Sequence, residues 1–553
     1  MLVTPTTAKP FAFTEKQIWL FFVSLLVLLQ FSALQVPILE PDGALYAGIA
    51  KTMVQQHDYL NLYADGHEWL DKPHFPFWMT ALSFQLFGFH TWSYKLPAIL
   101  FLLMGAWYTY RFALALYGET VARWSVCILL TAEHLVISNN DVRAEPYLTG
   151  LIIAAVYHFY RSLLPRMGMM HLVAGAIFTA CAVMTKGIFA LVPVGAAIGG
   201  HLAFTGQWKA VFSWKWLLAG ILTALFITPE LYALYRQFDM HPEKTVFGTS
   251  HVSGLRFFFW DSQFGRFMNT GPIKGSGDPF FFFHTLLWAF LPWPVMLYAA
   301  IFIFIKKWKQ QPEYYCICGA LATFLLFSLS RFQLPHYLNI IFPFFAILTA
   351  KYILSLQTAG ELKFFRVTQY VIIFLLAIAG VVIDLLYKPA MGYAWLIPAA
   401  ALIVLYLLLH YWLDKNTREA VFYRTAAVSI LLNLYVNTIL YPDMMQYQSG
   451  SQAAFYANAV LPETPVSMYN TNTYSFEFYL HAPVTRTDSA REGVLLTTPE
   501  HLPALQQEGY SYTLLQSFPN FYVSKLDLPF VRKATRNSTL GERMLIRVKK
   551  VIP

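Results

Sequence analysis

The residues best suited to chemistry gather where apolar stretches end. Asp42, Lys72, Asp141, Arg143, Glu145, Lys186, Asp239, Arg256, Asp261, Arg266, Arg331 and His336 all fall beside the boundaries of long apolar runs. A carboxylate at the level of a bilayer surface is costly unless it has a task or a partner. Such a group can take a proton from an attacking hydroxyl, or orient it. Cations nearby can hold a phosphate leaving group as charge builds on it. Acidic and basic residues at one membrane face therefore suit transfer of a group from a lipid phosphate. They suit the gate of a transporter or flippase equally well, so both readings stand at this point.

The element that must position them is the polar stretch 38–97, set between apolar runs at about 18–38 and 98–110. It carries Glu40, Asp42, Asp65, Glu68, Asp71 and Lys72. Asp42 is expected to act as a base, with this stretch roofing the site. The bland alternatives are that Asp42 caps a helix opening at Gly43 and that Lys72 snorkels at the interface. Short interfacial helices are expected at 43–57 and 75–87.

Composition sets the class. The chain of 553 residues is 57% hydrophobic and only 12% charged, whereas soluble domains carry about 25% charged residues. Aromatics reach 17%, which suits interfacial belts. Apolar runs near the length needed to cross the hydrocarbon core recur along the chain. The first is too long for a signal-peptide core. The net charge of +9 sits largely in short loops, where the positive-inside rule places it. It therefore points to membrane lipids and not to nucleic acid. Basic segments at 161–166, 306–309 and 363–366 can meet anionic head groups. Cys127, Cys181, Cys316 and Cys318 lie in or beside apolar runs with no zinc or redox spacing. His251, Asp261 and His284 match no metal-ligand pattern. No cofactor is implied, and a divalent cation is left open.

The fold expected is a polytopic α-helical membrane protein with about thirteen crossings. The spans fall near 17–37, 94–111, 121–138, 147–160, 171–185, 188–204, 212–234, 281–305, two flanking 331–337, then 366–386, 393–412 and 420–440. Lys9 and Lys16 place the N-terminus inside, and Lys363, Arg366, Lys415, Arg418 and Arg424 fall in inner loops. Parity then puts 38–97 and the C-terminal segment outside. Residues 1–444 form the membrane domain. Residues 445–553 turn polar and form a small α/β domain. Strands are expected at 465–469, 476–480, 493–497, 521–524 and 544–548, with a helix at 499–508.

Several motifs in order carry a resemblance. Pro41-Asp42-Gly43-Ala44-Leu45-Tyr46-Ala47, then Asp71-Lys72-Pro73, resembles the first outer loop of the GT-C glycosyltransferases. Asp141-Val142-Arg143-Ala144-Glu145-Pro146, Thr185-Lys186-Gly187, Pro292-Trp293 and Leu334-Pro335-His336-Tyr337 follow in family order. The branches it resembles are the lipid A aminoarabinose transferases and the protein O-mannosyltransferases. Gly43, Leu45 and Gly48 stand where the aminoarabinose branch carries Glu, Arg and Glu, so the resemblance implies the superfamily and not that sugar. It implies a bacterial inner-membrane enzyme that moves a sugar, with inversion, from a polyprenyl-phosphate donor. The acceptor is a lipid A-like glycolipid, another glycan or a protein hydroxyl, and the site and C-terminal domain are periplasmic. It implies Asp42 and Glu145 as the working carboxylates. Lys72, Tyr46, Arg143, Lys186, Arg266, Arg331, His336 and Tyr337 would bind substrate. Phe280, Phe281, Phe282 and Phe283 are a candidate wall for the prenyl tail, with lipid-facing or core packing the stronger reading.

Overall fold

The computed structural model describes residues 14–165, 168–390, 392–412 and 417–551. Lys9, Arg166 and Lys415, used in the charge reading, lie outside the described residues. Helix α1 (Glu15–Phe31) opens on a capping box in which Thr14 and Gln17 satisfy each other's backbone amides. Among the described residues six helices are long and apolar enough to cross a membrane, or seven if one bent pair is a single span. Shorter apolar helices such as Pro294–Lys306 and Tyr315–Leu329 complete the bundle. The expected count of about thirteen crossings remains an expectation. The span expected at 121–138 is in fact the bent pair. α5 (Glu119–Thr131) and α6 (Glu133–Asn140) meet at 51°, because Ala132 leaves helical geometry between them.

The polar stretch folds as two helices around a hairpin. α2 (Asp42–Gln56) and α3 (Phe75–Phe87) match the two expected interfacial helices. Between them β1 (Tyr63–Ala64) and β2 (His67–Glu68) pair antiparallel. Their turn is Asp65-Gly66, both at positive φ, the geometry that an Asp-Gly pair supplies cheaply. The sequence reading did not anticipate this hairpin.

α4 (Thr91–Tyr117) and α7 (Glu145–Leu163) pack backbone to backbone. A Cβ on Gly150 would stand 2.1 Å from the Phe101 carbonyl oxygen, so this contact admits no side chain. It fixes α7, and with it the N-terminal turn that bears Glu145. α8 (Gly168–Lys186) stops at Gly187, whose φ of +94° turns the chain into α9 (Leu191–Phe204). Lys186 is thereby left at the tip, where its carbonyl accepts from Gln263 Nε2 at 3.1 Å.

The C-terminal segment forms a five-stranded mixed sheet in the order β4 (Val484–Thr487), β3 (Val466–Tyr469), β5 (Gly493–Thr497), β7 (Gly541–Lys550), β6 (Tyr510–Asn520). The first three are parallel and the last two pairings antiparallel. Two expected strands fail. Residues 476–479 belong to the helix Tyr474–Tyr479, whose Phe476 and Phe478 are buried, and Leu480 ends it. Residues 521–524 lie beyond β6, and the true strands β4 and β6 were not read. The short apolar run at 476–480 has no period that separates strand from buried helix. The packing of that helix on α2 decided it. Lys51 of α2 completes the contact by donating to the carbonyls of Glu477, Phe478 and Leu480 at 3.1, 2.7 and 3.3 Å.

Candidate active site

Separate parts of the chain converge on one polar cavity of about 180 Å³. α2 supplies Asp42 and Tyr46, one turn apart on one face. The segment after the hairpin supplies Asp71 and Lys72. Arg143 comes from just before α7 and Glu145 from its first turn, and the tip of α8 supplies Lys186. Arg266, His336 and Tyr337 close the far side. Nine of the ten residues that the resemblance assigns to the site therefore line one cavity, whereas Asp141, Asp239, Arg256 and Asp261 do not line it. The tenth, Arg331, has an exposed side chain and does not line it. Its backbone N–H donates to the Phe267 carbonyl at 3.2 Å instead.

The charges are paired in an order the sequence did not give. Arg143 pairs with both neighbouring aspartates, with Nη1 2.8 Å from Asp42 Oδ2 in an ion pair and Nε donating to Asp141 Oδ2 at 2.7 Å. Glu145, two residues from Arg143, does not pair with it. It pairs with Lys186, and His336 Nε2 stands 3.9 Å from the same oxygen. Arg143 lies just before the helix and Glu145 is its first residue, so the two side chains serve different partners. Asp71 bridges Lys72, at 2.9 Å, and Arg266. Lys186 Nζ also lies 3.6 Å from the centre of the Tyr337 ring, a cation–π contact. Asp42 is the first residue of α2, and its side chain makes no capping hydrogen bond. The capping alternative therefore falls, and its carboxylate gains from the helix N-terminus only through the dipole.

The electrostatics follow. Burial alone would raise the Asp71 carboxyl, but Lys72 and Arg266 outweigh it and hold the group below the ordinary range. Burial raises Asp141 despite Arg143. Tyr46 is raised well above the usual phenol value, first by burial and then by the charge on Asp42, so it stays protonated and can donate. Arg143 is taken up by Asp42 and Asp141, and on the other side of the cavity three cations, Lys72, Lys186 and Arg266, face two carboxylates, Asp71 and Glu145, a local excess that favours an anionic guest.

Below lies a second, apolar space. It shares Asp71, Lys72, Lys186, Arg266, Phe332 and Tyr337 with the polar cavity, and its own walls include Phe189, Phe257, Phe258, Phe267 and Phe327. The cations thus stand where an apolar space meets a polar one. At about 80 Å³ this space is too narrow for a long chain, so a tail would run out between the helices. The run 280–283 does not line it. Phe280 is 71% exposed and Phe282 fully buried, in line with the lipid-facing and core alternative.

Two residues that the sequence reading passed over hold this junction. His74 and Glu230 are both fully buried. Glu230 Oε2 accepts the His74 backbone N–H at 3.0 Å, and Oε1 lies 3.1 Å from His74 Nδ1. His74 Nε2 lies 3.0 Å from the Leu60 carbonyl oxygen. The pair pins the segment that carries Asp71 and Lys72. The signal was present: Glu230 is a carboxylate inside an apolar run, which marks a functional position by default. Among the described residues no group of three or more His, Cys, Asp or Glu is arranged to hold a metal ion.

Comparison with known proteins agrees with this geometry. Residues 71–232 match the model of the dolichyl-phosphate-mannose-protein mannosyltransferase family. The chain is 25% identical over 369 residues to undecaprenyl phosphate-alpha-4-amino-4-deoxy-L-arabinose arabinosyl transferase 2 of Proteus mirabilis, covering 64% of each chain. It is 27% identical over 330 residues to the corresponding transferase of Edwardsiella ictaluri, covering 57% of this chain and 55% of that one. The matches span less than two thirds of these relatives' lengths. The structure superposes on ArnT from Cupriavidus metallidurans bound to undecaprenyl phosphate with a TM-score of 0.73 at 17% identity, covering 96% of this chain and 98% of that one. The apo form gives 0.70. This is a multi-pass membrane protein with that transferase fold, and it resembles the GT-C glycosyltransferases of the aminoarabinose and O-mannosyl branches.

Proposed function

We propose that the chain is an inverting glycosyltransferase that takes a sugar from a polyprenyl-phosphate donor and passes it to an envelope acceptor. One observation carries this reading. Lys72, Lys186 and Arg266 form a collar where an apolar space opens into the polar cavity that holds Asp42. A lipid phosphate has that shape, with its anion in the collar, the first part of its tail in the apolar space and its sugar in the polar cavity. Similarity to transferases named for undecaprenyl phosphate supports the same donor. A transporter needs no carboxylate in the cavity beside a collar of cations, and none of the similar proteins named above is one.

Asp42 takes the proton of an attacking hydroxyl or, where the acceptor is already ionised, orients it. The leaving phosphate gathers charge against Lys72, Arg266 and Lys186. Arg143, 2.8 Å from Asp42 Oδ2, holds the carboxylate in place. A single displacement with no enzyme nucleophile inverts the anomeric carbon. The lysine and arginine bias of the short loops supports a site on the periplasmic side of a bacterial inner membrane, with the C-terminal domain on that side. Whether the acceptor is a lipid A-like glycolipid, another glycan or a protein hydroxyl is decided by mass spectrometry of envelope glycolipids and glycoproteins. Cells with and without the chain are compared. A sugar increment that appears only with it supports the reading, and identical envelopes with the chain expressed and folded refute it.

A further inference from the structure

A second polar cleft lies outside the catalytic cavity, along the seam between α2 and the C-terminal domain. It encloses about 840 Å³, near the top of the roughly 300–1,000 Å³ typical of ligand sites. Its floor is a different face of α2 from the one that bears Asp42 and Tyr46, lined by the half-buried Gly48 and Thr52 and by the edge of the buried Leu45. A Cβ on Gly48 would meet nothing within 4 Å, so the floor is open there. The walls are the hairpin tip and the C-terminal domain.

The charge pattern of this cleft differs from that of the catalytic cavity. Arg486 is clamped between two carboxylates, Asp65 of the hairpin tip and Glu477, the latter at 2.7 Å. Its guanidinium lies 5.6 Å from the centre of the Tyr474 ring. Lys51 is committed to three backbone carbonyls. The fixed charges in the lining balance, two cations against two carboxylates. A balanced lining has no net attraction for a phosphate. It offers rigid donors and acceptors beside apolar patches at Leu45, Ala482 and Pro483. That combination recognises a neutral, hydroxyl-rich ring with polar edges and a C–H face.

The seam also leads to the reacting groups. Tyr474 lines both this cleft and a smaller one of about 180 Å³ beside Glu40 and Pro41. There Arg543 donates to neutral acceptors, Ser449 Oγ at 2.9 Å, Asn520 Oδ1 at 3.1 Å, Thr471 Oγ1 at 3.2 Å and the Asn472 carbonyl at 3.0 Å. Asp42 is the next residue after Pro41. Gly48 lies six residues further, roughly 9 Å along the helix axis at 1.5 Å per residue. A glycan of more than one ring therefore reaches from the large cleft round the start of α2.

We propose that this seam binds the saccharide of the acceptor, so that the C-terminal domain selects the acceptor by its glycan. The proposal rests on the glycosyl-transfer reading above. It is tested with the full chain in bacterial membranes carrying the photo-cross-linker p-benzoylphenylalanine at Gln55, which lines the cleft and is exposed. A matched chain carries it at Gln56, which does not line the cleft. After irradiation and digestion, mass spectrometry of the adduct at 55 should show a series of sugar increments absent at 56. Gly48→Trp, which fills the floor, should cut that adduct at least tenfold while undecaprenyl phosphate binding persists. Adducts of peptide alone or phospholipid alone overturn the proposal, as does no adduct. The adduct needs no turnover, so Asp42→Asn must leave it in place. An absent glycan adduct with transfer intact overturns this proposal alone. A retained adduct with no transfer from any polyprenyl-phosphate sugar overturns the reading beneath it.

Discussion

The sharpest prediction concerns Asp42→Asn. The amide keeps the shape of the side chain and removes its capacity to take a proton. Arg143 is not orphaned, because Asp141 holds its Nε at 2.7 Å. The Asp42 side chain is 35% exposed, and an exposed ion pair is worth about 0–1 kcal/mol. Folding and undecaprenyl phosphate binding should therefore stay near wild type. Loss of a general base costs about 10²–10⁴ in rate, or roughly 2.7–5.4 kcal/mol in the barrier at 1.36 kcal/mol per tenfold. Asp141→Asn is the control. Asp141 shares Arg143 but does not line the cavity, so its loss leaves the proton acceptor in place and should cost transfer less than Asp42→Asn does. The assay is sugar transfer in cells expressing each variant equally, read by mass spectrometry of the envelope. Undecaprenyl phosphate affinity is measured on the same variants in detergent. Asp42→Asn transferring within tenfold of wild type, or Asp141→Asn failing more severely, would refute the assignment of the base.

Lys72→Met and Arg266→Leu should each weaken undecaprenyl phosphate binding about 10–100-fold, since a hydrogen bond to a charged group contributes about 1.5–3 kcal/mol; unchanged affinity in a detergent binding assay would remove them from the collar. Lys186→Met leaves Glu145 buried without its lysine and should cost about 3–5 kcal/mol of stability. The double change with Glu145→Gln should recover most of it, and melting temperatures of the three chains decide this. Glu230→Gln should loosen the segment bearing Lys72 and raise the donor KM with little change in kcat. A fall in kcat alone would give Glu230 another role. Asp71 is held below its ordinary range by Lys72 and Arg266. Its stabilisation is present above about pH 4 and is lost as the pH falls through the lowered folded value. Between pH 5 and pH 2.5 the wild type should therefore lose more melting temperature than Asp71→Asn, and parallel curves would contradict the pairing.

Hydropathy is a local property, and so much of the architecture was legible in the chain. The membrane class follows from apolar runs and sparse charge. The two interfacial helices follow from composition within 43–57 and 75–87, and most of the site from carboxylates and cations placed where apolar runs end. An ion-pair partner is not a local property. Arg143 sits two residues from Glu145, yet it bonds Asp42 from another element and leaves Glu145 to Lys186, 41 positions on. Arg331 was grouped with the site because it ends an apolar run, but run ends do not say which way a side chain points. The strand expected at 476–480 became a helix because α2 offered it a face to bury against. The break at Ala132 and the junction of the apolar and polar spaces likewise depend on what packs around them. Residue type and spacing determined which groups are available and at what depth. Only the packing of distant segments could decide which charges meet, because their energies depend on separation and burial, and both are set by the whole fold.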